Sequence, residues 1–236
     1  MGLVSFHQKH KYRYNNVEVK GIEAIQDDKG ISFIFNQNLF ILANNRIRNM
    51  QRELLSDNWY SLEKITFEYL RDDGVWEKQI REAYDRGNGA AILLYNVEKR
   101  KVVLTKQFRM PTYVNGNDDG MMIEACAGLL EKGNAEETIK MEVEEETGYK
   151  IDKVEKVFEA YMSPGSVTEI LHFFVGEYED AMKVSEGGGA ADETENIEVL
   201  ELDFKKAIAM MQKGEIKDAK TIMLLQYAQV QGIFNQ

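Results

Sequence analysis

Cysteine is almost missing. The 236-residue chain has one, Cys126, so no internal disulfide can form and a reducing, cytoplasmic setting is the simplest expectation. Cys126 lies in the apolar run Met121–Ala127 with no histidine near it in sequence. That context suits core filling better than nucleophilic chemistry. There are two prolines and no repeats or low-complexity tracts. No apolar run approaches the length of a membrane span, and the start, MGLVSFHQKHKYRY, lacks the apolar stretch of a signal peptide. Positive charge is also short. Lys and Arg number 29 against 40 Asp and Glu, a formal net charge of -11, with no basic cluster. A nucleic-acid surface is therefore disfavoured. A phosphate-bearing small molecule stays open, provided a metal ion supplies the missing positive charge.

The 44% hydrophobic content supports a core large enough for one generous domain, with room for a small appendage. Residues 1–45 read apart from the rest. Val17, Val19, Ile22, Ile31, Phe33, Phe35 and Leu39–Leu42 suit short strands, with turns at Asp27–Gly30 and Asn36–Asn38. No motif occurs there. Two readings stand for this segment: a small appendage, ordered or disordered, or residues ahead of a true start at Met50.

From residue 46 on, the chain reads as one domain opening with a hairpin. Trp59–Leu70 and Val75–Tyr84 flank Arg71-Asp72-Asp73-Gly74, and Asp-Gly between such runs signals a hairpin. Further strands are expected at Ala90–Tyr95, Lys101–Phe108, Met121–Ala127, Val154–Tyr161, Ile170–Glu177 and Ile197–Leu202. His172, inside an apolar strand, reads as structural. Helices are expected at Ala135–Thr147, Phe204–Lys213 and Asp218–Val230. Glu186–Asn196, with three consecutive glycines and several acids, reads as a mobile loop. Strands with a few interspersed helices point to an α+β fold or a layered α/β/α sandwich.

The first helix carries the chemistry. Asn134 suits its N-cap, with Glu137 three residues on. Gly148 suits a left-handed residue just past its end. At about 100° per residue, Glu142, Glu145 and Glu146 share one side. Three carboxylates there repel each other, and they oppose the helix dipole, which favours cations at a C-terminus. A solvated acidic face is the ordinary explanation. A bound Mg²⁺, which takes hard oxygen ligands, would relieve both penalties.

The run from Gly128 to Tyr149 resembles the Nudix box, G-x5-E-x7-R-E-U-x-E-E-x-G-U. Glu142, Val143, Glu145, Glu146, Gly148 and Tyr149 match its second half, and Gly128 its first glycine. The stretch between Gly128 and Glu142 is one residue short. The early glutamate position falls on Asn134 and the arginine position on Met141. Losing both members of that pair leaves no buried charge unpaired. Arg81–Gly89, Gln107–Arg109, Tyr161–Gly165 and the glycine loop before Ile197–Leu202 resemble the GDP-mannose pyrophosphatase branch, which sits close to the ADP-ribose pyrophosphatases.

The resemblance implies a Nudix-type α/β/α sandwich and metal-dependent cleavage of a nucleoside diphosphate sugar. GDP-mannose is the first expected substrate and ADP-ribose the alternative. It implies two or three Mg²⁺ ions, with Mn²⁺ able to substitute, and a homodimer. The backbone carbonyl of Ala127 and the side chains of Glu142 and Glu146 are the implied metal ligands, with Glu145 binding a further ion or orienting the others. From the acidic loop, Glu193 is placed as base and Glu195 as metal contact, the reverse assignment also standing. A guanidinium fork suits phosphate oxygens, which marks Arg109 and Arg81 as substrate contacts. Tyr60 or Trp59 is placed on the nucleotide base or in a dimer contact. A non-catalytic nucleotide-sugar sensor on the same fold is the remaining alternative, although such a protein has no need of box carboxylates.

Overall fold

The computed structural model describes residues 12–14, 17–19, 22–27, 30–35, 46–130, 134–189 and 196–235, the first four stretches as backbone only. The chain divides into two compact units. One is Met1–Arg52 with Ile65–Ile80, and the other is Glu53–Lys64 with Arg81–Gln236. No described helix is long and apolar enough to cross a membrane.

The first four strands are β1 (Tyr12–Tyr14), β2 (Val17–Val19), β3 (Ile22–Asp27) and β4 (Gly30–Phe35). They pair as two separate antiparallel hairpins, β1 with β2 and β3 with β4. The strand expected at Leu39–Leu42 lies outside the described residues. Strands β5 (Ile47–Asp57), β6 (Ser61–Leu70) and β7 (Trp76–Asp85) form a three-stranded sheet in that order. Arg48 pairs with Glu68 and Glu53 with Lys64, so partners ascend on β5 as they descend on β6, the mark of antiparallel strands. The expected hairpin is β6–β7. Strand β5 was not anticipated, because its residues are mostly polar and nearly all exposed and show no alternation.

The large unit is built on a seven-stranded sheet. Its strands are β8 (Gly89–Asn96), β9 (Lys101–Phe108), β10 (Met121–Glu124), β11 (Cys126–Leu129), β12 (Glu155–Tyr161), β13 (Ile170–Glu177) and β14 (Glu198–Asp203). The main path is β10-β9-β8-β13-β12, with β11 beside β8 and β14 beside β9. Only β8 and β13 run parallel among these pairs. The single strand expected over Met121–Ala127 is two, broken at Ala125. Met121–Glu124 follows β9, whereas Cys126–Leu129 crosses to β8.

Strand β8 explains the layering. Ala91 and Leu93 face a core shared with Phe204, Ala207, Leu224, Leu225 and Ala228. Ala90, Ile92 and Leu94 face a second core shared with Ile139, Val143, Tyr149 and Tyr178. Both faces are covered, which is why the strand reads as an unbroken apolar run. The first core lies under helices α3 (Phe204–Gln212) and α4 (Ala219–Val230), capped by Asp203 and Asp218. The second lies under α2 (Ala135–Glu142). Helices on both sides of one sheet make the expected α/β/α sandwich. A short helix, α1 (Met110–Val114), was not anticipated. It starts with a proline in its first turn, where the missing N–H costs nothing.

Candidate active site

The carboxylate helix begins as expected. The Asn134 side chain accepts from the Glu136 N–H at 3.1 Å, and Lys140 pairs with Glu136 at 2.6 Å. Ile139 and Val143 are fully buried and anchor the helix over β8 and β11. Gly148 closes it with φ 75°, the left-handed conformation that glycine adopts without penalty.

Its last turn departs from expectation. Val143–Thr147 is one turn of π-helix rather than a continued α-helix. Such turns are rare and often lie at functional sites. The Thr147 hydroxyl donates to the Val143 carbonyl at 2.6 Å within it. The three glutamates differ in burial. Glu146 is 2% exposed, Glu142 is half-buried and Glu145 is exposed.

Gly128 explains the seat of Glu142. A Cβ at Gly128 would lie 1.8 Å from Oε1 of Glu142, so the carboxylate rests on the strand backbone in space that only glycine leaves. Ala127, the proposed carbonyl ligand, is the preceding residue of the same strand. Glu142 and Ala127 are thus brought together, with Glu146 one turn further on. Among the described residues no three acidic, imidazole or thiol side chains form a metal cluster by themselves. The donors at hand are carboxylate and backbone oxygens, the hard ligands Mg²⁺ takes, and it commonly takes only one or two protein carboxylates. The Gly128 cradle, open backbone against a carboxylate, fits such an ion. Glu193 and Glu195 lie outside the described residues.

The loop expected to be mobile is pinned in its described part. Gly188 N–H donates to the Glu146 carbonyl at 2.9 Å and Gly189 N–H to the Glu145 carbonyl at 3.2 Å. The glycines therefore meet the carboxylate helix directly, a relation that sequence spacing does not reveal.

Arg109 sits at the end of β9 and is held by Glu124 of β10. Its Nε and Nη2 lie 2.9 and 2.8 Å from one oxygen, Oε2. Lys220 takes the other, Oε1, at 3.1 Å and also reaches Asp218 at 3.0 Å. Asp218 in turn caps α4 through Thr221, whose hydroxyl accepts from the Ala125 N–H at 2.6 Å. Burial alone would push the Glu124 carboxyl up, but the Lys220 and Arg109 charges outweigh it and hold the group below the ordinary carboxylate range. Burial opposes the Arg109 charge too, and Glu124 and Glu146 overcome it, so Arg109 stays firmly cationic. Glu124 and Lys220 escaped the sequence reading. The available signal was an acid inside an apolar run, since a buried carboxylate demands a partner.

The other expected substrate contacts lie elsewhere in the large unit. Arg81 is exposed on β7. Tyr60 packs edge-on against Trp59 and Tyr84, with ring centroids 6.4 and 5.9 Å away. Arg86 stands over its ring at 5.6 Å and lies 3.6 Å from Glu169. Trp59 is 85% exposed. His172 is a cross-strand neighbour of Glu159, 3.3 Å away, consistent with a structural residue.

Comparison with known proteins shows the family. The family described as the GDP-mannose pyrophosphatase NudK N-terminal domain matches residues 46–84, and the NUDIX domain matches residues 85–225. The GDP-mannose pyrophosphatase of Yersinia enterocolitica is 59% identical over 188 residues, covering 80% of this chain and 97% of the relative. Proteins of the same name from Yersinia pestis and Pectobacterium atrosepticum are each 58% identical over 185 residues. They cover 78% of this chain and 92% and 95% of the relatives. Two matches running from residue 46 to residue 225, together with relatives this similar along nearly their whole length, lead to one assignment: the chain belongs to the Nudix hydrolases.

Proposed function

We propose that this hydrolase cleaves the diphosphate linkage of GDP-mannose, giving GMP and mannose 1-phosphate. The carrying observation is the Glu142 carboxylate seated on Gly128, with a buried Glu146 four residues on in the chain, in a chain whose relatives bear the name GDP-mannose pyrophosphatase.

Glu142, Glu146 and the Ala127 carbonyl would hold Mg²⁺, or Mn²⁺ in its place, with Glu195 as a further contact and two or three ions in all. When bound, the metal neutralises charge on the diphosphate and lowers the barrier to water attack. Arg109 binds and orients the diphosphate, its guanidinium kept charged by Glu124. Arg81 adds a second cationic contact, and Tyr60 supports the nucleotide base. Glu193 takes a proton from the attacking water, with Glu145 orienting the ligand set. Water adds its oxygen to one phosphorus, and the bridging oxygen leaves with the other phosphate. A homodimer in the cytoplasm completes the reading.

The test is an assay of the full chain against GDP-mannose, ADP-ribose and other nucleotide sugars, with and without Mg²⁺, with the phosphorylated products identified. Turnover of GDP-mannose to GMP and mannose 1-phosphate is expected. Preference for ADP-ribose would replace the substrate assignment, and no turnover of any nucleotide sugar would overturn the reading.

A further inference from the structure

A strap of backbone crosses the end of the carboxylate helix. Lys150 N–H donates to the Met182 carbonyl at 2.8 Å, and Val184 and Ser185 N–H groups reach the Gly148 carbonyl at 2.8 and 3.3 Å. The Gly188 and Gly189 N–H groups then take the carbonyls of Glu146 and Glu145. Ile197 N–H donates back to the Gly188 carbonyl at 3.2 Å. The last carbonyls of a helix ordinarily lack partners and carry the negative end of its dipole. Here that end lies in the turn bearing three glutamates, and the strap's N–H groups offset part of the negative potential.

The strap's backbone favours glycine. Gly187, Gly188 and Gly189 have φ of 69°, 114° and 88°. Gly187 carries a second constraint. A Cβ on it would stand 2.5 Å from the Glu146 carbonyl oxygen and 2.6 Å from the Thr147 carbonyl carbon. Both are backbone atoms and cannot swing aside. Gly188 would meet only the Ile197 oxygen at 3.8 Å.

We propose that Gly187 is a positioning residue of the metal site. Its close contact, with the strap's hydrogen bonds, holds Val143–Thr147 in the π-turn that buries Glu146 while leaving Glu145 exposed. The spacing of the Glu142 and Glu146 carboxylates toward a divalent cation is thereby set from outside the helix. Thr147 braces the same turn from inside, through its hydrogen bond to Val143. The inference rests on the proposed ligand role of Glu142 and Glu146.

The test is direct Mn²⁺ binding to the full chain, read by calorimetry or by the paramagnetic resonance of free Mn²⁺, without substrate. Gly187→Ala is expected to bind Mn²⁺ about tenfold more weakly or worse, the range for lost supports behind metal ligands. The control is Gly214→Ala. Gly214 has φ 75°, and a Cβ there would meet nothing within 4 Å, so it carries the backbone strain without the contact. It is expected to bind as wild type. If Gly187→Ala does not fold, Thr147→Val against Thr147→Ser decides: loss with Val and retention with Ser supports the brace. Wild-type affinity in Gly187→Ala, or in Thr147→Val where that arm decides, overturns the proposal, as does an equal loss in Gly214→Ala. No Mn²⁺ binding by the wild type overturns instead the ligand assignment of Glu142 and Glu146.

Discussion

Arg109 gives both its Nε and its Nη2 to a single oxygen of Glu124, and Lys220 occupies the other oxygen. One buried carboxylate thus joins the end of β9 to the start of α4 and fixes a guanidinium beside the carboxylate helix. Glu124→Gln breaks this arrangement while keeping its shape. Lys220 keeps Asp218 and Arg109 is part-exposed, so the loss should fall below the about 3–5 kcal/mol of a fully buried broken pair, read by denaturant titration at neutral pH.

The same residue makes a pH prediction. The folded-state pKa of Glu124 lies below the ordinary 4.5. Its stabilisation is therefore fully present above the unfolded-state value and is lost as pH falls through the folded value. The stability gap between wild type and Glu124→Gln should narrow on acidification below about 4.5. A gap constant down to the acid limit would contradict the assignment.

Gly128→Ala places a methyl group where the Glu142 carboxylate now rests. The clash runs from Oε1 back to Cγ of Glu142, side-chain atoms throughout, so the fold should survive and the whole Glu142 side chain should move. The expected result is a near-native thermal midpoint with at least about tenfold weaker activation by Mg²⁺, measured by metal titration of the hydrolysis rate.

Among the glutamates, the burial pattern orders the expected effects. Glu146→Gln and Glu142→Gln should each lower turnover far more than Glu145→Gln, whose side chain is exposed. Glu193→Gln should lower kcat by about 10²–10⁴, the span for loss of a general base, with Mn²⁺ binding retained. Steady-state kinetics alongside binding separates these roles.

A chain starting at Met50 would lose the first residues of β5. It would also lose Arg46, which pairs with Asp72, and Arg48, which pairs with Glu68 and lies 3.9 Å over the Trp76 ring. A chain starting at Arg46 keeps all of these. Thermal melts should give the Met50 start a lower midpoint than the Arg46 start.

Much of this architecture could be read from local chemistry. Strands β8, β9 and β13 are dense in apolar residues and bounded by turns. The caps of the carboxylate helix, Asn134 and Gly148, are set by hydrogen bonding and φ within a few residues. Strand β5 was hidden because an exposed strand carries no apolar alternation. The break at Ala125 was hidden because the two halves of the run differ in the strand they pair with, not in composition. The π-turn was hidden because its hydrogen bonds are chosen by what packs against the helix end.

By itself, then, the sequence determined most of the strands and helices, the carboxylate helix and its match to the Nudix box, since periodicity, capping and motif spacing act between residues close in the chain, and the resemblance to that family implied the α/β/α layering. Tertiary structure alone decided that Glu142 lies on Gly128, that Glu124 holds Arg109 and Lys220, and that the triple glycine braces Glu145 and Glu146. Each of these joins segments separated along the chain, and burial and hydrogen-bond satisfaction act on whichever atoms the fold brings together. Helical spacing puts the three glutamates on one side and the family resemblance gives them different roles, but only the fold decided their burial, with Glu146 covered and Glu145 exposed.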